Sequence, residues 1–352
     1  MINIIGGGPI GCQTASLLAK KNEVTLYEQK SKIGSPIQCT GILSQTINEI
    51  IKLKKDFIAN KVYSTRIFAP NKKFIQIHFK KPNIIVWRNK FDQYFEEKAL
   101  DNGVDIIYNS TYFEKNKIKN LKTKRTKTIN PNILIGADGP LSKVRKIHSF
   151  SKEKHLQGVQ ALIKIKNDNV VDFYPHIGTY AWAVPESNNL LRVGVAAKKD
   201  TGLIFRDFVK RYKGKVVEWQ SGIIPIHNPQ FKTQKKNVFL IGDAAAQIKN
   251  TTGGGLIPGL LAAKALTKSI NNKENYDSLW RKEVGKSLWT HYQIRKMMNK
   301  FTNKDWDDLI NTFNKESLKE VLGSGSRDKP IEMIFKTLIK EPKLMLFAKK
   351  LF

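Results

Sequence analysis

Cysteine is nearly missing from this sequence: only Cys12 and Cys39 occur among 352 residues. Two thiols build neither a disulfide framework nor a protein-ligated iron–sulfur cluster, and the expectation is a reducing, cytoplasmic setting. Long apolar runs are lacking too. No stretch of about eighteen apolar residues is present, so hydropathy gives no membrane-spanning helix. The first residues, MINIIGGG, run straight into a strand pattern, and no signal peptide is expected. Acidic residues are scarce, with 30 Asp+Glu against 61 Lys+Arg, a net charge of +31. Such a surface draws nucleic acid, anionic lipid headgroups or phosphorylated ligands. Lys, Asn and Ile are abundant together, as a biased base composition would also produce, so charge alone selects no partner. The histidines (His78, His148, His155, His176, His227 and His291) fall at no metal-ligand spacing, and no metal site is expected.

What is present is glycine at telling positions. INIIGGGPIGCQTASLLAKKNEVTLYEQ reads as strand, turn, helix, strand, and Gly6, Gly8 and Gly11 fit G-x-G-x-x-G. In that motif the first glycine makes the tight turn and the second lets backbone approach a pyrophosphate. The third lets helix and strand pack closely. The phosphates would lie on the helix N-terminus, at Pro9 and Ile10, where unpaired amides favour negative charge. Glu28, at the end of the second strand, is placed to accept from adenosine ribose hydroxyls.

Two later segments extend the site. NILIGADGPLSKVRK is a strand ending at Gly136-Ala137-Asp138-Gly139, with Ser142 and Arg145 entering a helix. NVFLIGDAAAQIKNTTGGGLIPGLLAAKAL is a strand ending at Gly242-Asp243, then the loop Gly253-Gly254-Gly255, then an apolar helix from Leu256. A carboxylate at such a strand end can hold a ribityl hydroxyl, and glycine backbone can lie against a flat ring. With WRNKFDQYF, carrying Arg88, Phe91 and Asp92, these motifs resemble the para-hydroxybenzoate-hydroxylase type of FAD-binding fold. The resemblance implies FAD as cofactor and Asp243 as the ribityl contact.

The expected fold class is α/β, with a discontinuous Rossmann-type FAD-binding domain from residues 1–45, 80–148 and 235–275. Residues 46–79 and 149–234 carry alternating or β-branched stretches (STRIFAP, FIQIHF, GVQALIKIK, VVDFYPHIG, YAWAVPES, LLRVGVAAK) and form the expected antiparallel substrate sheet. Residues 276–352 read as a helical C-terminal region. Its last part, KPIEMIFKTLIKEPKLMLFAKKLF, has apolar residues at helical spacing among lysines, which is consistent with a basic amphipathic helix on a membrane surface or packed on the protein.

The loop IGSPIQCTGILS, the segment Tyr180-Ala181-Trp182-Ala183-Val184-Pro185 and the loop TTGGGL together resemble the geranylgeranyl reductase family, with the archaeal digeranylgeranylglycerophospholipid reductases nearest. Val184 stands where that family usually has Phe, and Lys249-Asn250 where Asn-Pro is usual. The resemblance implies a flavoprotein in which reduced FAD hydrogenates isoprenoid double bonds of membrane lipids or their precursors. It places the Cys39 loop against the flavin and Tyr180, Trp182 and Pro185 along the lipid cavity. Thiols stay largely protonated at neutral pH, so Cys39 is the candidate catalytic residue as well as a cofactor contact. Cys12, inside the first helical turn, reads as packing. No second strand–G-x-G-x-x-G–helix unit is found, so electrons are expected from an external donor, NADPH or a small reduced protein such as ferredoxin.

Two other functions compete. A flavin monooxygenase or halogenase of the same superfamily would use oxygen at the same ring, and YAWAVP matches the halogenase W-x-W-x-I-P pattern in part. An RNA-associated flavoprotein would suit the charge, but no RNA-recognition motif accompanies it, and no nucleic-acid partner is expected. Localisation is expected to be cytoplasmic, with peripheral contact on the inner face of the membrane.

Overall fold

Parallel pairing around Ile2–Ile5 organises the first of two units in the computed structural model, which describes residues 1–37 and 39–351. This unit comprises Met1–Ile37, Arg88–Lys154 and Pro225–Trp289. Its six-stranded sheet runs Gln234–Lys235, Val238–Leu240, Ile133–Gly136, Ile2–Ile5, Val24–Tyr27, Asp105–Ile107. All neighbours pair parallel except the edge strand Gln234–Lys235. The four residues of Ile2–Ile5 are all buried, as a central parallel strand requires. From it the chain continues to Val24–Tyr27 on one side and later returns at Ile133–Gly136 on the other. That reversal is a topological switch point, where open α/β sheets bind ligands at their carboxyl ends. The helices Pro9–Leu18, Arg88–Asp101 and Leu256–Asn272 belong to this unit. A small antiparallel sheet, Ser110–Glu114, Lys117–Asn120 and Thr126–Thr128, packs Tyr112 and Ile118 into a core with Leu134, Val144 and Leu240.

The second unit comprises residues 38–87, His155–Ile224 and Thr290–Phe352. Its eight-stranded sheet runs Lys215–Pro225, His155–Lys164, Leu190–Ala197, Tyr180–Ser187, Val171–Tyr174, Ile58–Phe68, Phe74–Val86, Ile42–Leu43. Each stretch expected as a strand overlaps one, although VVDFYPHIG is extended only over Val171–Tyr174. The sheet is not purely antiparallel, because Val171–Phe173 pairs parallel with Thr65–Ile67. One face is covered by the helix Thr201–Val209, whose Phe205 and Phe208 join Ala161, Ile163, Ala181, Ala183, Val193 and Val195 in a core.

The unit boundaries fall at 37, 87, 154, 224 and 289, where the sequence suggested 45, 79, 148, 234 and 275. The strand begun by FIQIHF continues to Val86, so residues 80–87 stay with the second sheet. Residues from Thr290 onward group with that sheet rather than standing apart. The helix Asn303–Phe313 shows why, since its Ile310 packs with Ala69, Ile75 and Ile77 of the sheet. This helix starts with a capping box between Thr302 and Asp305.

Candidate functional site: a glycine cradle and an aromatic sheet face

In the first unit the three motif glycines have separate physical reasons. Gly6 sits at φ +106°, and a Cβ there would lie 2.3 Å from the Ala137 carbonyl oxygen. A Cβ on Gly11 would lie 2.0 Å from the Gly6 oxygen, so helix and turn touch through backbone. Gly8 is the opposite case: nothing lies within 4 Å of its Cβ position. It faces open space at the N-cap of Pro9–Leu18, where the amides of the first turn lack intrahelical partners. Pro9 opens this helix without wasting a donor. Ile10 packs against Gly242 and Gly259, joining the first turn to the Gly-Asp strand end and to the helix Leu256–Asn272.

Glu28 is buried, and both its oxygens are engaged: the Gly7 amide donates to Oε2 at 2.6 Å and the Lys30 amide to Oε1 at 2.8 Å. It braces the glycine turn. Each oxygen keeps a further lone pair for a ligand hydroxyl. Arg88 forks onto Asp92, Nε to Oδ1 at 2.9 Å and Nη2 to Oδ2 at 3.0 Å, one turn along its own helix. Asp138 caps the short helix Lys143–Ile147, accepting from Ser142 Oγ and from the Lys143 and Val144 amides at 2.7 and 3.1 Å. Its carboxylate is thus committed to the protein.

Asp243 contrasts with it. Burial pushes its carboxyl above the usual range, with Arg88 opposing, and it accepts no side-chain hydrogen bond among the described residues. A Cβ on Gly255 would lie 2.9 Å from Asp243 Oδ1, so the carboxylate lies against the glycine loop. That loop is shaped by Gly253 at φ +69°, whose amide donates to the Lys249 carbonyl at 2.8 Å, and Gly254 bridges back to Lys249. Leu256 then begins a seventeen-residue helix, with its first amides toward the loop. An open glycine turn, a half-buried carboxylate without a side-chain hydrogen bond among the described residues and a second helix N-terminus suit a dinucleotide carrying hydroxyls and phosphates.

Several supports here escaped the sequence reading. Gln247 Oε1 accepts from the Gly242 amide at 2.9 Å and its Nε2 donates to Tyr276 Oη at 3.0 Å, fixing the turn beside Asp243. His227 donates Nδ1–H to the Ala246 carbonyl at 2.8 Å, and burial lowers its imidazole to about 4. Arg145 pairs with Glu153, whose carboxyl burial raises to about 7 against the pull of that arginine. Sequence spacing marks Arg145 only as part of a helix start and gives no signal for Gln247, His227 or Glu153, whose partners are brought near by folding. Cys12 is fully buried and donates Sγ to the Gly7 carbonyl at 3.3 Å, while burial and the acids Glu96, Glu28 and Asp92 raise its thiol well above the ordinary value. It is a packing residue, as expected.

In the second unit Tyr180 and Trp182 project from one face of their strand, with ring centroids 5.9 Å apart. Tyr180 Oη and Trp182 Nε1 are buried with no hydrogen-bond partner among the described residues. Burial raises the Tyr180 phenol; Arg295 opposes this and the nearby Cys39 adds to it. The Arg295 guanidinium lies 5.6 Å from the Tyr180 ring centroid and donates to the Thr179 carbonyl at 2.9 Å. Cys39 is half-buried, its sulfur accepting from the Gly41 amide at 3.4 Å. Its neighbour Thr40 donates to Gln160 Oε1 at 3.1 Å. Gln160 in turn reaches Gln220, which accepts from Arg192, and Arg192 pairs with the buried Glu186. The cysteine loop is therefore tied to a polar row on the Tyr180–Trp182 face. Gly194, opposite Trp182 in the neighbouring strand, leaves the room its indole fills.

Pro185 does not join that face. Strand alternation puts it with Ala181 and Ala183, on the side covered by the helix Thr201–Val209, and it pairs with Leu191. Among the described residues no cluster of His, Cys, Asp or Glu is disposed to hold a metal ion, and no helix is long and apolar enough to cross a membrane.

No family model matches the chain. Among curated proteins, an uncharacterized protein of Methanocaldococcus jannaschii is 26% identical, with 95% of this chain and 94% of that protein aligned. The digeranylgeranylglycerophospholipid reductase of Methanoculleus marisnigri is 27% identical over 99% of this chain and 97% of its own. Among solved structures, a geranylgeranyl bacteriochlorophyll reductase-like protein from Thermoplasma acidophilum superposes with a TM-score of 0.84 at 20% identity, covering 100% of this chain and 98% of that one. The flavin-dependent halogenase CmlS shares the fold less closely, with a TM-score of 0.65 at 15% identity over 98% of this chain and 77% of its own. The chain is thus similar over most of its length to named digeranylgeranylglycerophospholipid reductases, at 24–28% identity, and shares its fold with a geranylgeranyl bacteriochlorophyll reductase-like protein and with flavin-dependent enzymes.

Proposed function

We propose that the protein is an FAD-dependent reductase that saturates isoprenoid double bonds of archaeal-type membrane lipids or their precursors. The observation carrying this reading is the grouping of Cys39, Tyr180 and Trp182 in one unit of a chain whose other unit holds a dinucleotide cradle. Gly6, Gly8, Gly11 and the first turn at Pro9 and Ile10 would hold the pyrophosphate of FAD, and Glu28 the adenosine ribose. Asp243 would accept from the ribityl chain, and Gly253, Gly254, Gly255 and Leu256 would face the ring.

Bound and reduced, FAD supplies a hydride equivalent. An isolated trisubstituted alkene is a poor hydride acceptor, so the chain must exclude water, hold the alkene and supply a proton. The Tyr180 and Trp182 rings give the isoprenoid an apolar, rigid wall. The Cys39 thiol would donate a proton to one alkene carbon, the other taking the hydride equivalent that reduced FAD supplies when bound, and the resulting thiolate would be reprotonated from solvent after product leaves. The links Thr40–Gln160–Gln220 hold the Cys39 loop in place. Electrons come from an external donor that docks transiently, a nicotinamide or a small reduced protein.

Mass spectrometry of lipids from cells making this protein alongside an unsaturated archaeal-type lipid tests the reading. Under anaerobic conditions each reduced bond adds one H2 to the lipid mass. Unchanged lipid with a flavin-loaded protein would defeat the reductase assignment. Oxygen-dependent incorporation of halide or hydroxyl would support the halogenase or monooxygenase reading instead.

A further inference from the structure

The C-terminal helix Pro330–Lys340 is packed with its hydrophobic side outward. At about 100° per residue, Ile331, Ile334, Phe335 and Leu338 fall in one stripe, with Ile339 at its edge. Ile331, Phe335 and Ile339 are 51%, 66% and 65% exposed, whereas Thr337, on another side of the helix, is 6% exposed. Pro330 and Thr337 are the helix's buried residues, and the Thr337 hydroxyl donates to the Ile334 carbonyl within the helix. A surface helix normally turns its apolar stripe to the core. Here the stripe continues into Met345 and Leu346, which are also exposed. Contiguous apolar exposure of this kind marks an interaction surface.

The surrounding charge selects the partner. Lys336 pairs with Glu332 and Lys350 with Asp305, but the exposed Lys329, Lys340, Lys343 and Lys349 hold no ion pair among the described residues. They belong to a chain carrying a net +31. An apolar stripe of Ile, Phe, Leu and Met with lysines on the polar side is the composition of a helix lying in the interface of an anionic bilayer. We infer that residues 330–351 are a membrane-docking element: the Ile331–Phe335–Ile339 stripe enters the headgroup–acyl boundary of an anionic leaflet, and the unpaired lysines hold it there. The choice of a bilayer over another apolar partner rests on the reading of the substrate as a lipid.

Vesicle sedimentation of the full-length protein tests this without using activity. Wild type should pellet with vesicles of mixed phosphatidylglycerol and phosphatidylcholine, pellet little with phosphatidylcholine alone, and bind less as salt rises. The double variant F335E/I339E should lower the bound fraction at matched lipid by roughly tenfold or more. Both positions are exposed, so flavin content and melting temperature should match wild type. Equal sedimentation of wild type and variant, or none by wild type, overturns the proposal. So does a wild-type dimer in the absence of lipid that the variant converts to monomer, which would make the stripe a self-association face. The same variant assayed on a short, detergent-dispersed isoprenoid separates the two ideas: failure of the reductase reading leaves vesicle binding intact, and failure of docking leaves that reduction intact.

Discussion

Replacing Gly8 by Ala should weaken flavin binding while leaving the flavin-free fold almost unchanged. The Cβ would meet nothing within 4 Å, and the backbone at φ −67°, ψ 171° is ordinary extended geometry for alanine. Two small effects on the empty protein oppose each other. Alanine is a poorer N-cap than glycine, but it lowers the entropy of the unfolded chain by about 0.4–1 kcal/mol. The net change is within about 1 kcal/mol, a shift of a few degrees at most in melting temperature. The bound state differs, because the added methyl occupies the space through which backbone amides reach a pyrophosphate. Losing one charge-assisted hydrogen bond costs about 1.5–3 kcal/mol, or roughly ten- to hundredfold in Kd. Gly11→Ala is the contrasting control: its Cβ would lie 2.0 Å from the Gly6 oxygen, so the turn itself must move. Overpacking of that kind costs about 1–3 kcal/mol or more, and both stability and flavin retention should fall. Flavin fluorescence titration and thermal melts of stripped protein read the two effects separately. Wild-type flavin affinity in Gly8→Ala would refute the placement of the pyrophosphate, and a large fall in its flavin-free melting temperature would refute the openness of the turn.

Asp243→Ala should cost about 1.5–3 kcal/mol of FAD affinity by titration yet leave the melting temperature of stripped protein unchanged or raised, because a half-buried carboxylate whose charged form is penalised by desolvation is removed. Cys39→Ala should keep flavin but lower alkene reduction or change the number of bonds reduced, read by product mass; unchanged turnover would make Cys39 a lining residue only. Cys12→Ala should show only a modest packing loss, because that thiol is fully buried and bonded to the Gly7 carbonyl. His227 is held neutral in the fold, its imidazole lowered from 6.5 to about 4, whereas the unfolded chain takes up a proton near 6.5. Its contribution is therefore complete above that pH and is lost as pH falls toward 4, by about 3 kcal/mol in all. Denaturant melts across that window should lose most of this slope in His227→Gln, and an identical slope would assign it to other groups.

The cradle was legible in the sequence where backbone geometry itself demands a residue type. No side chain other than hydrogen fits at Gly6 or Gly11, so the motif records a contact directly. Acidic and basic residues were located correctly at strand ends and helix starts, but their local partners could not be read. Asp138 closes onto three donors of its own helix start, Arg88 onto Asp92, and Glu28 onto the turn it follows. Short-range hydrogen bonds compete with a ligand for such groups, and motif spacing is the same whichever wins. Pro185 shows a different limit. YAWAVP reads as one motif, yet a strand sends alternate side chains to opposite faces, so Tyr180 and Trp182 part from Pro185.

The C-terminal segment marks where periodicity stops informing altogether. Its pattern fixes that one side of Pro330–Lys340 is apolar and leaves open which side meets the protein, because an inward and an outward stripe have the same period. The decision comes from the residues that are covered. Burying Pro330 and Thr337 removes little apolar area from water, whereas turning Ile331, Phe335 and Ile339 inward would have hidden three large side chains worth about 1.5–3 kcal/mol each. Packing on this chain alone leaves that free energy unused, so the outward stripe makes sense only with an apolar partner outside the chain. On the proposed function, the lysines beside it and a lipid-chain substrate point to a bilayer as that partner, and the same exposed side chains supply the readout that can refute it.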